Sequence, residues 1–176
     1  MNIYEINVED LKEVCPKLNA GDKVILSGTV YTARDAAHKK IFELLEENKK
    51  LPFELNNAVI YYAGPTPTPP NMAIGSCGPT TSKRMDPYTP RLLDMGVAAT
   101  VGKGERSNEV EDAIIRNKSV YLCAIGGAGA LAALSITECC VIAFEELGCE
   151  SVKKLKFDKF PLIVGIDCKG GNIFKR

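Results

Sequence analysis

The chain has no net charge: Lys+Arg and Asp+Glu stand at 22 each. No global field therefore favours nucleic acid or a membrane surface, and any anion site must be local. It also has no CxxC pair among its seven cysteines (Cys15, Cys77, Cys123, Cys139, Cys140, Cys149, Cys168). The odd count and open spacing argue against a disulfide framework and against a self-contained zinc or iron–sulfur site. Free thiols in a reducing cytosol are expected, most of them small core residues. Met1 to Asp10 contains acids and no apolar h-region, so a secretory signal is not expected. The longest apolar stretch, Ser119 to Phe144, is interrupted by Gly126-Gly127-Ala128-Gly129 and holds Glu138, so it is not read as a membrane span. Repeats and low-complexity tracts are missing, and histidine is nearly so, with His38 alone.

What remains is an ordinary globular composition, 45% hydrophobic and 25% charged. Its 176 residues suit a single domain, 1–176, large enough to bury a core. Lys23 to Tyr31 is a β-branched run and reads as a strand. Ala33 to Lys49 follows with Ala37, Ile41, Leu44 and Leu45 at helical spacing. Ala58 to Tyr62, Gly96 to Gly102, Val120 to Ile125, Cys139 to Phe144 and Leu162 to Asp167 hold further strands. Asn108 to Arg116 reads as a short helix with acids in its first turn. Thr80 to Met95 is expected to be helical in part, with breaks near Pro87 and Pro90. The pattern predicts an α/β domain with a mixed sheet.

The most informative segment is Gly78-Pro79-Thr80-Thr81-Ser82-Lys83-Arg84-Met85-Asp86. A Pro-rich loop, Gly64 to Pro70, leads into it. It sets three hydroxyls beside two cations and a carboxylate. A helix starting near Thr80 would place Thr80 and Arg84 on one face, with free N–H donors at its start. Arg34, in Thr32-Ala33-Arg34-Asp35-Ala36-Ala37-His38, follows a strand and opens a helix; His38 lies one turn on. Lys103 sits between Gly102 and Gly104, where the backbone allows close approach to a ligand. Gly96 to Lys103 is not a P-loop, because the spacing is one residue too long and Gly104 stands where Ser or Thr must bind magnesium. Gly127-Ala128-Gly129-Ala130-Leu131-Ala132 matches the dinucleotide pattern G-x-G-x-x-A, with Glu145 near the expected distance. A dinucleotide-binding module over Gly127 to Glu145 is therefore a rival reading.

The Ser27 to His38, Gly78 to Asp86 and Gly102 to Gly104 segments, in that order, resemble the β subunit, or C-terminal domain, of class I iron–sulfur fumarate hydratases and L(+)-tartrate dehydratases. The resemblance extends through Gly126-Gly127 and Phe160 to Val164. It implies a swivelling β/β/α fold and a cytoplasmic hydro-lyase hydrating a C4 dicarboxylate, fumarate/malate first and tartrate/oxaloacetate next. It implies a heteromer in which an α subunit, not this chain, ligates a [4Fe-4S] cluster, and it implies no metal ligand here. Motif match puts substrate carboxylates on Arg34, Arg84 and Lys103 and the base on Thr80, with the acid in the partner. His38, Thr81, Ser82 and Asp86 are candidates for support, and Thr81 and Ser82 stay open as alternative hydroxyls. Lys83 stands where glycine is common in the family. A β-type chain that has become a non-catalytic regulatory subunit is the other alternative.

Overall fold

The computed structural model describes residues 1–175. They form seven strands, β1 (Ile3–Asn7), β2 (Lys23–Thr32), β3 (Val59–Tyr61), β4 (Ala99–Gly102), β5 (Val120–Cys123), β6 (Ile136–Ala143) and β7 (Val152–Ile166). The α-helices are α1 (Val8–Val14), α2 (Asp35–Glu46), α3 (Thr89–Asp94), α4 (Asn108–Asn117) and α5 (Gly129–Leu134). Single turns of 3₁₀ helix occupy Cys15–Lys17 and Ser82–Met85, and a longer kinked one Glu145–Glu150.

Strands β1 to β5 run parallel in chain order, while β7 is antiparallel to β2, β5 and β6. Because β7 pairs with both β2 and β5, the ring β2-β3-β4-β5-β7 closes on itself. That closure requires β7 to bend. Lys159 takes φ 51 in mid-strand, and its N–H donates to Ser27 Oγ at 2.9 Å. Opposite it, the β2 register slips between Leu26 and Gly28, a bulge that sharpens the twist.

Residues alternate between two cores along each central strand, as strand geometry demands. Val59 and Tyr61 join Leu26, Val101, Leu122, Phe157 and Phe160 on one face. Ile60 and Tyr62 join Ile41, Leu92, Ile114 and Tyr121 on the other, beneath α2, α3 and α4. The parallel strands are thus covered on both sides, by other strands and by helices. The fold is α/β with a mixed sheet, as the alternating pattern predicts.

The structure differs from the sequence-based expectations at four places. The edge strand β1 was not read from the sequence, and β7 is far longer than Leu162 to Asp167. No helix begins at Thr80; an extended segment leads into the turn at Ser82–Met85, so Thr80 and Arg84 do not share a helical face. The dinucleotide reading is overturned. Only the six-residue α5 separates β5 from β6, and β6 pairs antiparallel with β7 instead of parallel beside β5.

Candidate functional site

Four parallel strands end at one edge of the sheet, and two of them hand their chains to candidate residues. Arg34 follows β2, Gly64 follows β3, Lys103 follows β4 and Gly126 follows β5. Ligands in parallel sheets characteristically sit outside such carboxyl ends. The Pro-rich loop leaves β3 and returns across this edge. Cys77 N–H donates to Gly129 O at 3.0 Å, Thr80 N–H to Tyr62 O at 2.6 Å and Ser82 N–H to Lys103 O at 2.9 Å. Thr81 forms a parallel bridge with Lys103. Thr80 and Thr81 therefore extend the sheet between the ends of β3 and β4. Arg34 and Lys103 flank them from strands two apart, roughly 10 Å at normal spacing, which long side chains can span.

Glycines let these loops touch. A Cβ on Gly64 would stand 2.8 Å from Arg34 Nη1, and one on Gly126 would stand 3.2 Å from Lys103 Cδ. One on Gly78 would meet Gly129 Cα at 3.3 Å. Side chains at these positions would push the cations or the loop away.

The structure treats the candidates differently. Thr80 is half-buried, and no described residue hydrogen-bonds its hydroxyl. Lys103 is exposed and has no ion-pair partner among the described residues. Arg34 keeps its Nε buried and without a hydrogen bond, 3.9 Å from Glu150 Oε1. Arg84, half-exposed, is paired with Asp35 at the start of α2. That pair carries Arg84 across to the Arg34 side of the edge. Thr81 is exposed.

His38, Ser82 and Asp86 face inward instead. His38 Nδ1 lies 2.8 Å from the Arg34 carbonyl, which makes Nδ1 the donor, and its ring packs against Tyr62 and Tyr88. Burial lowers its pKa to about 4, so the ring is neutral. Ser82 Oγ is 2.9 Å from Tyr121 Oη, whose proton goes to Gly104 O at 2.8 Å. Ser82 therefore donates and its hydroxyl is committed. Asp86 pairs with buried Arg106 at 2.6 Å. Cys77 is fully buried, and burial pushes its thiol up to about 12, which leaves it protonated and unreactive.

Residues 2–176 match the family described as Fumarase C-terminus. The chain belongs to that family. It is 42% identical to a Methanocaldococcus jannaschii protein provisionally named L(+)-tartrate dehydratase subunit beta, over 98% of this chain and 91% of that one. It is 33% identical to the L(+)-tartrate dehydratase subunit beta of Escherichia coli K12, over 96% of this chain and 83% of that one. It is 38% identical to fumarate hydratase 2 of Leishmania major, over 96% of this chain and only 30% of that protein. The chain thus spans about a third of the fumarate hydratases it matches.

Two residues of this fumarase C-terminal domain escaped the sequence reading. Arg106, fully buried, donates to Asp86, Thr100, Tyr62 and Thr89 and lies between the Tyr62 and Tyr121 rings. It ties the Ser82–Met85 turn to β4. Glu150 faces Arg34 and also accepts from Ala36 N–H at 3.4 Å. Its only sequence signal is its place in an acidic run, Glu145-Glu146, then Glu150, which local spacing cannot tell from a solvated surface. The donor set of this fumarase domain does not fit an iron–sulfur cluster. Among the described residues no three His, Cys, Asp or Glu side chains group to hold a metal ion.

Proposed function

We propose that this chain is the β subunit of a cytoplasmic, heteromeric hydro-lyase that interconverts a hydroxy-dicarboxylate and an enedioate. Fumarate and malate are the leading pair, tartrate and oxaloacetate the next. The names of the relatives support a hydro-lyase subunit, and "subunit beta" supports a partner. The observation that supports the site assignment is that Arg34 and Lys103 follow β2 and β4 on either side of the Thr80–Thr81 segment, with Arg84 in the turn just after it, while the Thr80 hydroxyl has no hydrogen-bond partner among the described residues.

A C4 dicarboxylate brings two negative charges. Arg34 and Arg84 offer planar forks for bidentate carboxylate contacts, and Lys103 adds a point charge. In the dehydration direction, Thr80 Oγ1 takes the proton from the carbon beside one carboxylate, and charge builds on that carboxylate. The same cations stabilise that charge as it develops. They also favour the threonine alkoxide, which in water would be far too costly. With no helix starting at Thr80, this support falls on the cations instead of on a helix dipole. His38 holds the Arg34 backbone, and Asp86 with Arg106 holds the turn that presents Arg84.

The hydroxyl leaves from the adjacent carbon, and the acid that serves it belongs to the other chain. In this reading the partner, an α subunit, ligates a [4Fe-4S] cluster with its own residues. The test is anaerobic reconstitution with that partner. Isolated chain is expected to be inactive, and the mixture to hydrate fumarate. Thr80→Ala is expected to lower kcat about 10²-fold or more while KM changes little. Turnover by this chain alone would overturn the assignment, and an unchanged kcat in Thr80→Ala would move the base elsewhere.

A further inference from the structure

The segment from Ser119 to Thr137 contains no charged residue, yet part of it faces outward. Ile125, Leu131 and Leu134 are 67%, 69% and 71% exposed. Leu131 and Leu134 stand three apart on α5 and so share a face. Beside them, Ile125, Leu131, Ala132, Phe160 and Pro161 line an apolar cleft of about 120 Å³. Single exposed leucines need no explanation, but an uncharged cluster of them has the composition of the centre of a protein interface.

The cluster is also continuous with the candidate site. Gly126, next to Ile125, lies against the Lys103 side chain, and Gly129, which opens α5, lies against Gly78. Whatever covers Ile125, Leu131 and Leu134 therefore lies on the segment whose glycines touch Lys103 and Gly78, two residues before Thr80. The chain accounts for 30% of the fumarate hydratase from Leishmania major but 91% of a tartrate dehydratase β subunit. The same domain thus occurs joined to a longer polypeptide or as a subunit of its own.

We propose that the Ile125–Leu131–Leu134 face docks the polypeptide corresponding to the other two thirds of the fumarate hydratases. This rests on the heteromeric reading above and names the surface that reading leaves open. Docking there brings the second chain over the Lys103 side of the site, leaving the Arg34–Glu150 side to be closed by this chain.

The test is co-elution of affinity-purified chain with the α-type polypeptide, prepared anaerobically with its cluster. The variants are Leu131→Asp/Leu134→Asp, Leu134→Asp alone, and Ile115→Asp as a control on α4, where Ile115 is 43% exposed. Thermal melting confirms that each variant is folded. Wild type and Ile115→Asp are expected to co-elute with the partner. The double variant is expected to bind roughly tenfold more weakly or worse, with Leu134→Asp in between. Wild-type affinity in the folded double variant would overturn this surface while leaving the heteromeric reading intact. No association by wild type would overturn the heteromeric reading and this occupant together. A wild-type homodimer dispersed by the double variant would assign the face to a second copy of the chain instead.

Discussion

Arg34 is the residue on which local chemistry is most unequal between its two ends. Its Nε is buried and faces Glu150 at 3.9 Å, while Nη1 lies over Gly64. An ion pair at the Nε side leaves the two-pronged Nη side unpaired among the described residues, so in the proposed reading Glu150 orients the fork towards a substrate carboxylate without occupying it. Because both side chains keep contact with water, at 22% and 27% exposure, the pair is worth only about 0.5–1 kcal/mol. Glu150→Ala should therefore raise KM for the dicarboxylate about 2–5-fold in the reconstituted enzyme, with kcat nearly unchanged. Glu150→Gln, which keeps the acceptor for Ala36 N–H, should recover part of that loss. Steady-state kinetics of the two variants decide the matter, and a KM identical to wild type in Glu150→Ala would remove Glu150 from the site. Arg34, Arg84 and Lys103 are candidates from the sequence because each lies in a motif that resembles the family's, bounded by glycine, proline or a strand end. Glu150 was not, because its partner is 116 positions away in sequence and only the closed sheet brings them together.

At the scale of elements, the turn Ser82–Met85 depends on a residue from another loop. Arg106 donates to four side chains and stacks between two tyrosines, with Asp86 held at 2.6 Å. Asp86 Oδ2 also accepts from Ser107 N–H at 2.7 Å, one residue before α4 begins. Removing the guanidinium would strand a buried carboxylate. Arg106→Met is therefore expected to cost about 3–5 kcal/mol in urea denaturation, and a loss below 1 kcal/mol would show that Asp86 finds water instead. The same region shows what sequence reading misses. Gly104-Glu105-Arg106-Ser107-Asn108 has the composition of a solvated loop, so nothing local announced a buried arginine. By contrast β2 and α4 were legible, the first from its β-branched run and the second from the acids in its first turn, Glu109 and Glu111, and the structure adds a cap in which Ser107 Oγ accepts from Val110 N–H. β1 was missed because an edge strand buries little and its apolar pattern is weak. β7 was half-read because Lys159 and Pro161 look like a break, when they are the bend that closes the ring.

For the whole molecule, the single histidine ties stability to pH. His38 accounts for all imidazole titration in the chain. It is fully enclosed by Arg34 and Asp35 from the start of α2, by Tyr62 and Tyr88, and by nearby Arg106. Burial is the main cause of its low pKa, about 4 against 6.5 for a free ring, and Arg106 lowers it further. The unfolded chain therefore binds the proton first on acidification. The stability tied to neutral His38 is fully present above pH 6.5, falls as pH drops towards 4, and changes no more below that. Between pH 7 and pH 5 the loss should be about 2 kcal/mol. Asp22 and Asp94 have carboxyls held below their usual range, Asp22 by the Asn2 N–H and Asp94 by Arg116. Their stabilising effect is lost only under more acidic conditions and does not enter this window. His38→Asn places an amide where Nδ1 donates to Arg34 O and removes the titration. Its urea-denaturation free energy should be lower than wild type at pH 7 but nearly equal at pH 7 and 5. If wild type were equally stable at both pH values, His38 would already be exchanging protons in the folded state. The wall of aromatic rings that holds the Arg34 backbone would then be open to water, and the rigid placement of Arg34 would have to come from Glu150 alone.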